Sequence, residues 1–505
     1  MLVELCILFV SALLSAYMFL TRNHGYWKEK GVIYMKPKLL FGNLYNMVML
    51  KCSIGQHLAS IYQLYPDEPF VGFFSFDKPA LLIRDRELIK NILIRDFNHF
   101  TDRVFTPNEI PDPLAAKGLF GVNFAKWHML RIKLNPGFTS LRIKRVFYLI
   151  DECCTKFVEV MKKCADKGGP VELKRQMANL TTTVIAACGF GLDAGAMDGN
   201  YSAFVDINDD SFSTNPIYAL KKILLFFAPH FSKAVSIQIA ATKTYELMRG
   251  IVWDTVKLRE ETGVNRNDFI DLMMEIRKNG RLDNDKTTEK IELEGDDFVA
   301  QAYLFLIAGF ETSSTTLSII LYELCLKPEL QDRLRKNILE TIEKHDGAIS
   351  YESVQDMKYL HMIVNESLRK FPPLPFLDRT CNMDYKIPGT EIVIEKGTQV
   401  YIPILGLHRD PQYYENPKVF DPERFSPENV QNIPKMAYIP FGEGKRICIG
   451  ARFGEIQVKM GLVHFLKNFT VELAPGMTRH AKTEPRSFTT LTRGGIHVVI
   501  KKIPQ

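Results

Sequence analysis

A chain of 505 residues that is 46% hydrophobic can bury a large core, which excludes a disordered or fibrous protein. Its net charge of +6, from 64 cationic and 58 anionic side chains, is spread over a long sequence and gives no ground for a nucleic-acid partner. Nine cysteines without a Cys-x-x-Cys pair or a zinc-ligand spacing point to a reducing compartment rather than a disulfide framework.

Leu2 to Leu20 is almost wholly apolar, with Glu4 its only charge, and Arg22, Lys28 and Lys30 follow. This predicts a transmembrane anchor over residues 1–21 whose basic flank stays in the cytosol with the rest of the chain. A cleaved signal peptide is disfavoured, because a basic start and a small-residue cleavage site are both missing. Residues 22–45 read as a basic linker that holds the remainder off the bilayer. Residues 46–505 show no further linker and read as one domain. The sequons at Asn179, Asn200, Asn365 and Asn468 are chance matches in a cytosolic domain.

Val71 to Ile83 suggests a small β region, and the proline-rich apolar loop from Phe105 to Phe124 is suited to wall a cavity. Trp127-x-x-x-Arg131 places an indole N–H and a guanidinium one helical turn apart, two convergent donors for an anionic group. Residues 139 to 330 read mainly as helices. Within them Gly189-x-Gly191-x-x-Ala194 is the one candidate for a dinucleotide fingerprint, with Asp209 and Asp210 about twenty residues on. Met197 to Asn208 contains no plausible buried strand, so a glycine-terminated helix is the better reading. The apolar patch Lys221 to Phe231 is either core or a second membrane contact.

Asp296 to Leu326 forms the longest credible helix, with Ala308-Gly309-Phe310-Glu311-Thr312-Ser313 at its centre. Glu311 and the nearby hydroxyls interrupt it too soon for a membrane span, so a buried functional helix explains the polarity better. Gly309 costs about 1 kcal/mol relative to alanine there, a sign that a small residue is required. Thr312 alone reads as a hydroxyl bonded back to its own helix.

Glu366-x-x-Arg369 repeats a spacing also found at Glu172/Arg175, Glu246/Arg249 and Glu443/Arg446. It is set apart by its sequel, Phe371-Pro372-Pro373-Leu374-Pro375, then Arg379 and, downstream, Asp421-Pro422-Glu423-Arg424-Phe425. Tyr385 to Leu405 reads as hairpin strands, and Ser487 to Ile500 as another hairpin whose turn reaches into a cavity.

Phe441 to Gly450 reads Phe-Gly-Glu-Gly-Lys-Arg-Ile-Cys-Ile-Gly. Its glycines let backbone approach a bulky planar partner and turn N–H groups toward sulfur, while Lys445 and Arg446 favour thiolate over thiol. Phe441-x-x-Gly444-x-Arg446-x-Cys448-x-Gly450 resembles the haem-binding signature of cytochrome P-450 monooxygenases, and the landmarks from Trp127 to Cys448 follow that family's order. The wording of residues 134–140 and 446–454 is similar to insect members related to vertebrate drug-oxidising enzymes.

The resemblance implies a mainly α fold with a minor β portion and an N-terminal anchor helix. It implies haem b with Cys448 as the proximal thiolate ligand to iron. Trp127, Arg131, Arg379, Phe441, Arg446 and Gly450 hold that cofactor, Arg379 as a propionate partner. Gly309 leaves room above it, Thr312 hydrogen-bonds bound O2, and Glu311 passes protons. Glu366, Arg369 and Arg424 form a structural network. Phe120, Ile307, Ala308, Leu374 and Phe376 line a pocket for a lipophilic substrate.

No flavin or NADPH site is visible in the chain. The resemblance therefore implies electrons from NADPH-cytochrome P-450 reductase, perhaps aided by cytochrome b5, docking on Lys133, Arg142, Lys144, Arg145, Lys445 and Arg452. It places the protein on the endoplasmic reticulum membrane with the catalytic domain on the cytosolic face. Xenobiotics and plant toxins head the substrate classes, with hormones and fatty acids as alternatives. A haem carrier or sensor, a thiolate-haem isomerase and a nicotinamide dehydrogenase are the competing functions.

Overall fold

The N-terminal apolar run forms one uninterrupted helix, Leu2–Thr21, none of whose residues is buried. The computed structural model describes residues 1–199, 201–280 and 292–504; Asn200, one of the sequon asparagines, lies outside them. The segment expected as a free basic linker instead packs onto the fold. Trp27 is buried, its indole N–H donates to the Phe73 carbonyl at 3.1 Å, and Tyr34 bridges to Gly72. Gly72 is small because a Cβ there would stand 2.6 Å from the Trp27 ring.

Beyond the N-terminal helix the chain is mainly helical, with three small sheets among the described residues. Strands β1 (Phe70–Ser75) and β2 (Lys78–Ile83), within the β region expected over Val71 to Ile83, pair antiparallel. The short strands are β3 (Val171–Glu172), β4 (Leu377–Thr380), β5 (Tyr385–Lys386), β6 (Val393–Ile394) and β7 (Gln399–Ile402); β8 (Phe469–Leu473) and β9 (His497–Lys502) close the chain. The largest sheet has the order β1-β2-β7-β4, with β7 parallel to β2 and antiparallel to β4. The hairpin expected between Tyr385 and Leu405 is thus only β5 with β6; β7 leaves it for the large sheet. The hairpin expected over Ser487 to Ile500 is shifted: β9 pairs with β8, and an antiparallel bridge between Thr483 and Thr492 closes the turn that carries residues 487–490.

The central helix, Gly295–Leu326, runs through the larger hydrophobic cluster, while the second cluster surrounds the four-stranded sheet. Its hydroxyl-rich half can be buried because the hydroxyls donate to carbonyls four residues back: Ser314 to Phe310, Thr316 to Thr312 and Ser318 to Ser314, at 2.6–2.8 Å. Thr181 of the Leu173–Ile185 helix adds a cross-helix bond to the Phe310 carbonyl at 3.2 Å. Gly191 ends that helical stretch in the left-handed conformation, φ 66°, and Ala203–Ser211 is a helix. Among the described residues the stretch after the glycine run is thus helical where a nucleotide-binding unit needs a strand.

Candidate functional site

Cys448 ends a tight loop. Its N–H donates to the Phe441 carbonyl at 2.9 Å, and Gly442 and Gly444 both take φ 74°. At Gly444 a Cβ would stand 2.0 Å from the Leu93 carbonyl oxygen, so only glycine lets the loop lie against that helix. The Gly450 N–H bonds to the Cys448 sulfur, and a Cβ at Gly450 would meet no protein atom within 4 Å. The Ala451–Asn468 helix then begins, and Gly454 in its first turn faces Ser313 of the central helix, 3.8 Å from a Cβ built on it. That contact packs the start of the helix after the cysteine loop against the central helix.

On the central helix Ala308 and Thr312, one turn apart, are the accessible residues in an otherwise buried stretch, and Cys448 is accessible as well. Thr312 Oγ1 donates to the Ala308 carbonyl at 2.8 Å, so its hydroxyl is bonded back to its own helix while its side chain faces open space. Glu311 turns the other way. It is 3% exposed, accepts from Lys174 Nζ at 2.7 Å and from Thr489 Oγ1 at 2.8 Å, and does not share a hydrogen bond with Thr312. Gly309 also departs from expectation: the space of its missing side chain is filled by Ile185 Cδ1, 2.4 Å from a built Cβ, so its smallness serves helix packing rather than a cofactor.

Around this space stand guanidinium donors without hydrogen-bond partners, and one carboxylate oxygen, Asp102 Oδ1, is unpaired as well. Arg446 Nε donates to the Thr101 carbonyl at 2.7 Å, and its Cζ lies 4.4 Å over the Trp127 ring. Arg379 Nη1 donates to the Asp378 carbonyl at 2.7 Å. Arg446 Nη2, Arg379 Nε and Arg103 Nε are buried without a partner. The carboxylates close by are strained across several donors: Asp378 takes Arg103 at 3.3 Å and the Val104 N–H at 2.6 Å, and Asp102 stays 3.7 Å from Arg446. Burial and then the Arg103 charge bring Arg379 down to about 9 and Arg446 to about 8. Three mutually repelling guanidinium groups with orphaned N–H donors fit a ligand that carries paired carboxylates, as haem does.

Although Cys448 borders open space, the protein packed around it desolvates the thiol and pushes its pKa up; against this act the Gly450 N–H and the charges of Arg131 and Arg103. The cations with the largest effect on sulfur are therefore these two rather than Lys445, whose ammonium lies over the Phe97 ring, and Arg446. Burial lowers the Arg131 pKa, and the Cys448 sulfur opposes that shift.

The cytochrome P450 family model matches residues 34–499. The chain belongs to the cytochrome P450 family. It is similar to cytochrome P450 6j1 of Blattella germanica, 41% identical over 98% of this chain and 97% of the relative. It is 37% identical to cytochrome P450 6a2 of Drosophila melanogaster over the whole of both chains, and 34% to cytochrome P450 6B7 of Helicoverpa armigera over 98% of each. This cytochrome P450 is accordingly a haem-thiolate monooxygenase that uses O2, a member of a family that works with redox partners and lipophilic substrates. Its N-terminal helix, Leu2–Thr21, is long and apolar enough to cross a membrane and none of it is buried.

Of the residues expected around a substrate, Ala308 is accessible, and Phe120, Ile307 and Leu374 are half-buried. Phe376 is 1% exposed and sits behind that wall, packed on Phe226 at 5.4 Å and Phe488 at 6.1 Å. Glu366, Arg369 and Arg424 do come together: Arg369 binds both Glu366 oxygens, and Arg424 Nε lies 3.7 Å from Oε1. Two participants escaped the sequence reading. Arg103 lies outside every motif and is marked only by the Asp-Arg pair that opens the Phe105 loop. Lys174 precedes its partner Glu311 by 137 residues, so no local spacing reveals it. On the expected docking face Lys144, Arg145, Lys445 and Arg452 are exposed and Arg142 partly so, but Lys133 is buried.

Proposed function

We propose that this cytochrome P450 inserts one oxygen atom of O2 into lipophilic xenobiotics, plant toxins among them, on the cytosolic face of the endoplasmic reticulum. Electrons come from NADPH-cytochrome P-450 reductase, with cytochrome b5 as a helper. The observation that carries the reading is the placement of Cys448, with the Gly450 N–H on its sulfur, beside a cluster of orphaned arginine donors and the accessible face of the central helix. Kinship with insect members of the family and the apolar lining around Ala308 support the substrate class.

In this reading Cys448 sulfur holds the iron, and Trp127, Arg103, Arg131, Arg379 and Arg446 hold the propionates, with Phe441 and Gly450 packing the cofactor edge. Bound haem supplies the iron that activates dioxygen, and its thiolate ligand favours O–O cleavage. Thr312 is the proton-carrying group at the cavity: its hydroxyl need only leave the Ala308 carbonyl to donate outward. Glu311 joins it by rotating away from Lys174. Residues 1–21 anchor the protein, 22–45 seat the oxygenase domain against the bilayer, and 46–505 make up that domain. Exposed Ile217, Phe231 and Val235 add a second membrane contact at the end of the 221–231 patch. Lys144, Arg145, Lys445 and Arg452 receive the acidic face of the reductase.

The test is the absorption spectrum of the reduced, carbon monoxide-treated protein beside Cys448→Ala, with NADPH oxidation measured in the presence of reductase. A strongly red-shifted Soret band in the parent alone, with substrate-dependent NADPH use that high salt slows, is expected. A folded parent without that band, or product formation independent of NADPH, overturns the reading.

A further inference from the structure

Lys222 lies on the inner face of the Pro216–Phe227 helix and is 8% exposed. One turn on, Phe226 stacks on Phe105 at 4.9 Å and on Phe488 at 5.0 Å, so this face closes over the wall that includes Phe120. The ammonium makes one hydrogen bond, to the Ser213 carbonyl at 3.2 Å, and stands 6.0 Å from the Phe212 ring, which packs on Phe310 of the central helix. Among the described residues no carboxylate pairs with it.

Its two acidic neighbours are already engaged. Glu311 accepts from Lys174, Thr489 and Thr315; Asp210 accepts from Tyr218, Thr244 and the Ala241 N–H at 2.6–2.9 Å. Burial lowers Lys222 to about 8, with Glu311 and Asp210 opposing the shift, so it is still a cation at neutral pH. An ammonium kept in the interior with two N–H donors beyond its bond to the Ser213 carbonyl, and with no ion-pair partner among the described residues, is costly.

We infer that Lys222 anchors the anionic end of the substrate, which makes lipophilic carboxylic acids a preferred class. This rests on the proposed oxygenase function and names the substrate of the same site. The carboxylate takes the free ammonium N–H groups, and the apolar chain runs beneath Phe226, Phe105 and Phe488 toward Ala308 and Thr312. Oxidation then falls on carbons away from the carboxyl group.

The experiment is calorimetric titration of the full chain in nanodiscs with decanoate and with methyl decanoate, each corrected for empty nanodiscs. The acid is expected to bind the parent about tenfold or more tighter than the ester, the scale of a hydrogen bond to a charged group. Lys222→Met brings the ratio near one, and Lys222→Arg keeps it. Equal affinities in the parent, or a ratio that survives in Lys222→Met, overturns the assignment; the parent ratio decides by itself if the Met variant does not fold. The carbon monoxide spectrum of the same samples separates the two claims. A red-shifted band without acid preference sinks the anchor alone, whereas acid preference without the band sinks the oxygenase reading and leaves the anchor standing.

Discussion

Arg369 clasps Glu366 through both carboxylate oxygens, Nε to Oε2 at 2.6 Å and Nη2 to Oε1 at 2.7 Å, with neither side chain exposed. Oε1 also accepts the Asp421 N–H at 2.8 Å, and Arg369 Nη1 reaches the His408 and Pro417 carbonyls at 2.8 and 3.0 Å. The pair therefore ties the Lys358–Lys370 helix to the irregular segment that leads into the cysteine loop. Removing one partner strands a buried charge. Glu366→Gln is expected to destabilise the protein by about 3–5 kcal/mol and to reduce the haem content of the purified protein. Thermal denaturation checks this, and a variant that melts with the parent refutes it.

Arg103 tests the propionate site apart from the thiolate. Its guanidinium lies 4.1 Å over the Phe120 ring, and its Nε has no partner. Arg103→Leu keeps the bulk and deletes the donors, and hydrogen bonds to charged groups are worth about 1.5–3 kcal/mol. Transfer of haem to excess apomyoglobin should run about tenfold faster or more from the variant, with the red-shifted band unchanged in position because Cys448 is intact. Transfer at the parental rate would mean that these arginines serve the fold alone.

The parts of the site legible in the sequence are those whose partners lie close along the chain. Cys448, Phe441 and Gly444 share one loop, Ala308 and Thr312 one helical turn, and Glu366 and Arg369 another; each motif thus carries its own geometry. Arg424 was placed by its order after the proline run, which worked because that segment returns to the same helix. The misses are long-range. Arg103 acquires its role only where strand β4, the cysteine loop and the 101–105 segment converge. β9 finds its partner in β8 across an irregular loop, and Trp27 finds Gly72 from a segment whose composition reads as linker. Smallness at Gly309 and an acid at Glu311 point to the cavity in sequence, but a helix turns about 100° per residue, and the structure turns Glu311 toward Lys174 and packs Gly309 against Ile185.

Asp112 gives a pH dependence of unusual sign. It is fully buried, accepts from Tyr245 Oη at 2.6 Å and from the Ile239 N–H at 2.8 Å, and ties the 105–124 loop to the start of the Thr242–Thr262 helix. Burial raises its carboxyl from 3.8 to about 6, against the Tyr245 and Ile239 bonds and the Lys221 charge. A native pKa above the unfolded one means that the folded state binds more protons between those values, so this group's contribution falls as pH rises through the window and is level above it. The difference amounts to about 2 kcal/mol between pH 4 and pH 7. Asp112→Asn keeps an oxygen acceptor and removes the charge. Chemical denaturation at several pH values should show the variant gaining on the parent by that amount across the window, and a constant gap would refute the assignment.

Gly309 separates two explanations of one glycine. If it served only to clear space above a cofactor, Gly309→Ala would disturb ligand binding but leave the fold as stable or more so, since alanine is favoured over glycine in a helix interior by about 1 kcal/mol. The structure puts Ile185 Cδ1 2.4 Å and Cγ1 3.1 Å from the new methyl group, inside the contact between the central helix and the Leu173–Ile185 helix. Overpacking of that kind costs about 1–3 kcal/mol, enough to reverse the propensity gain, so Gly309→Ala should melt below the parent. Ile185→Val deletes the colliding Cδ1 and alone costs about 0.5–1.5 kcal/mol. Combined with Gly309→Ala it should recover stability, so that the double variant is more stable than the two single losses added together. A single Gly309→Ala variant that melts at or above the parent would return the glycine to the cofactor side of the helix.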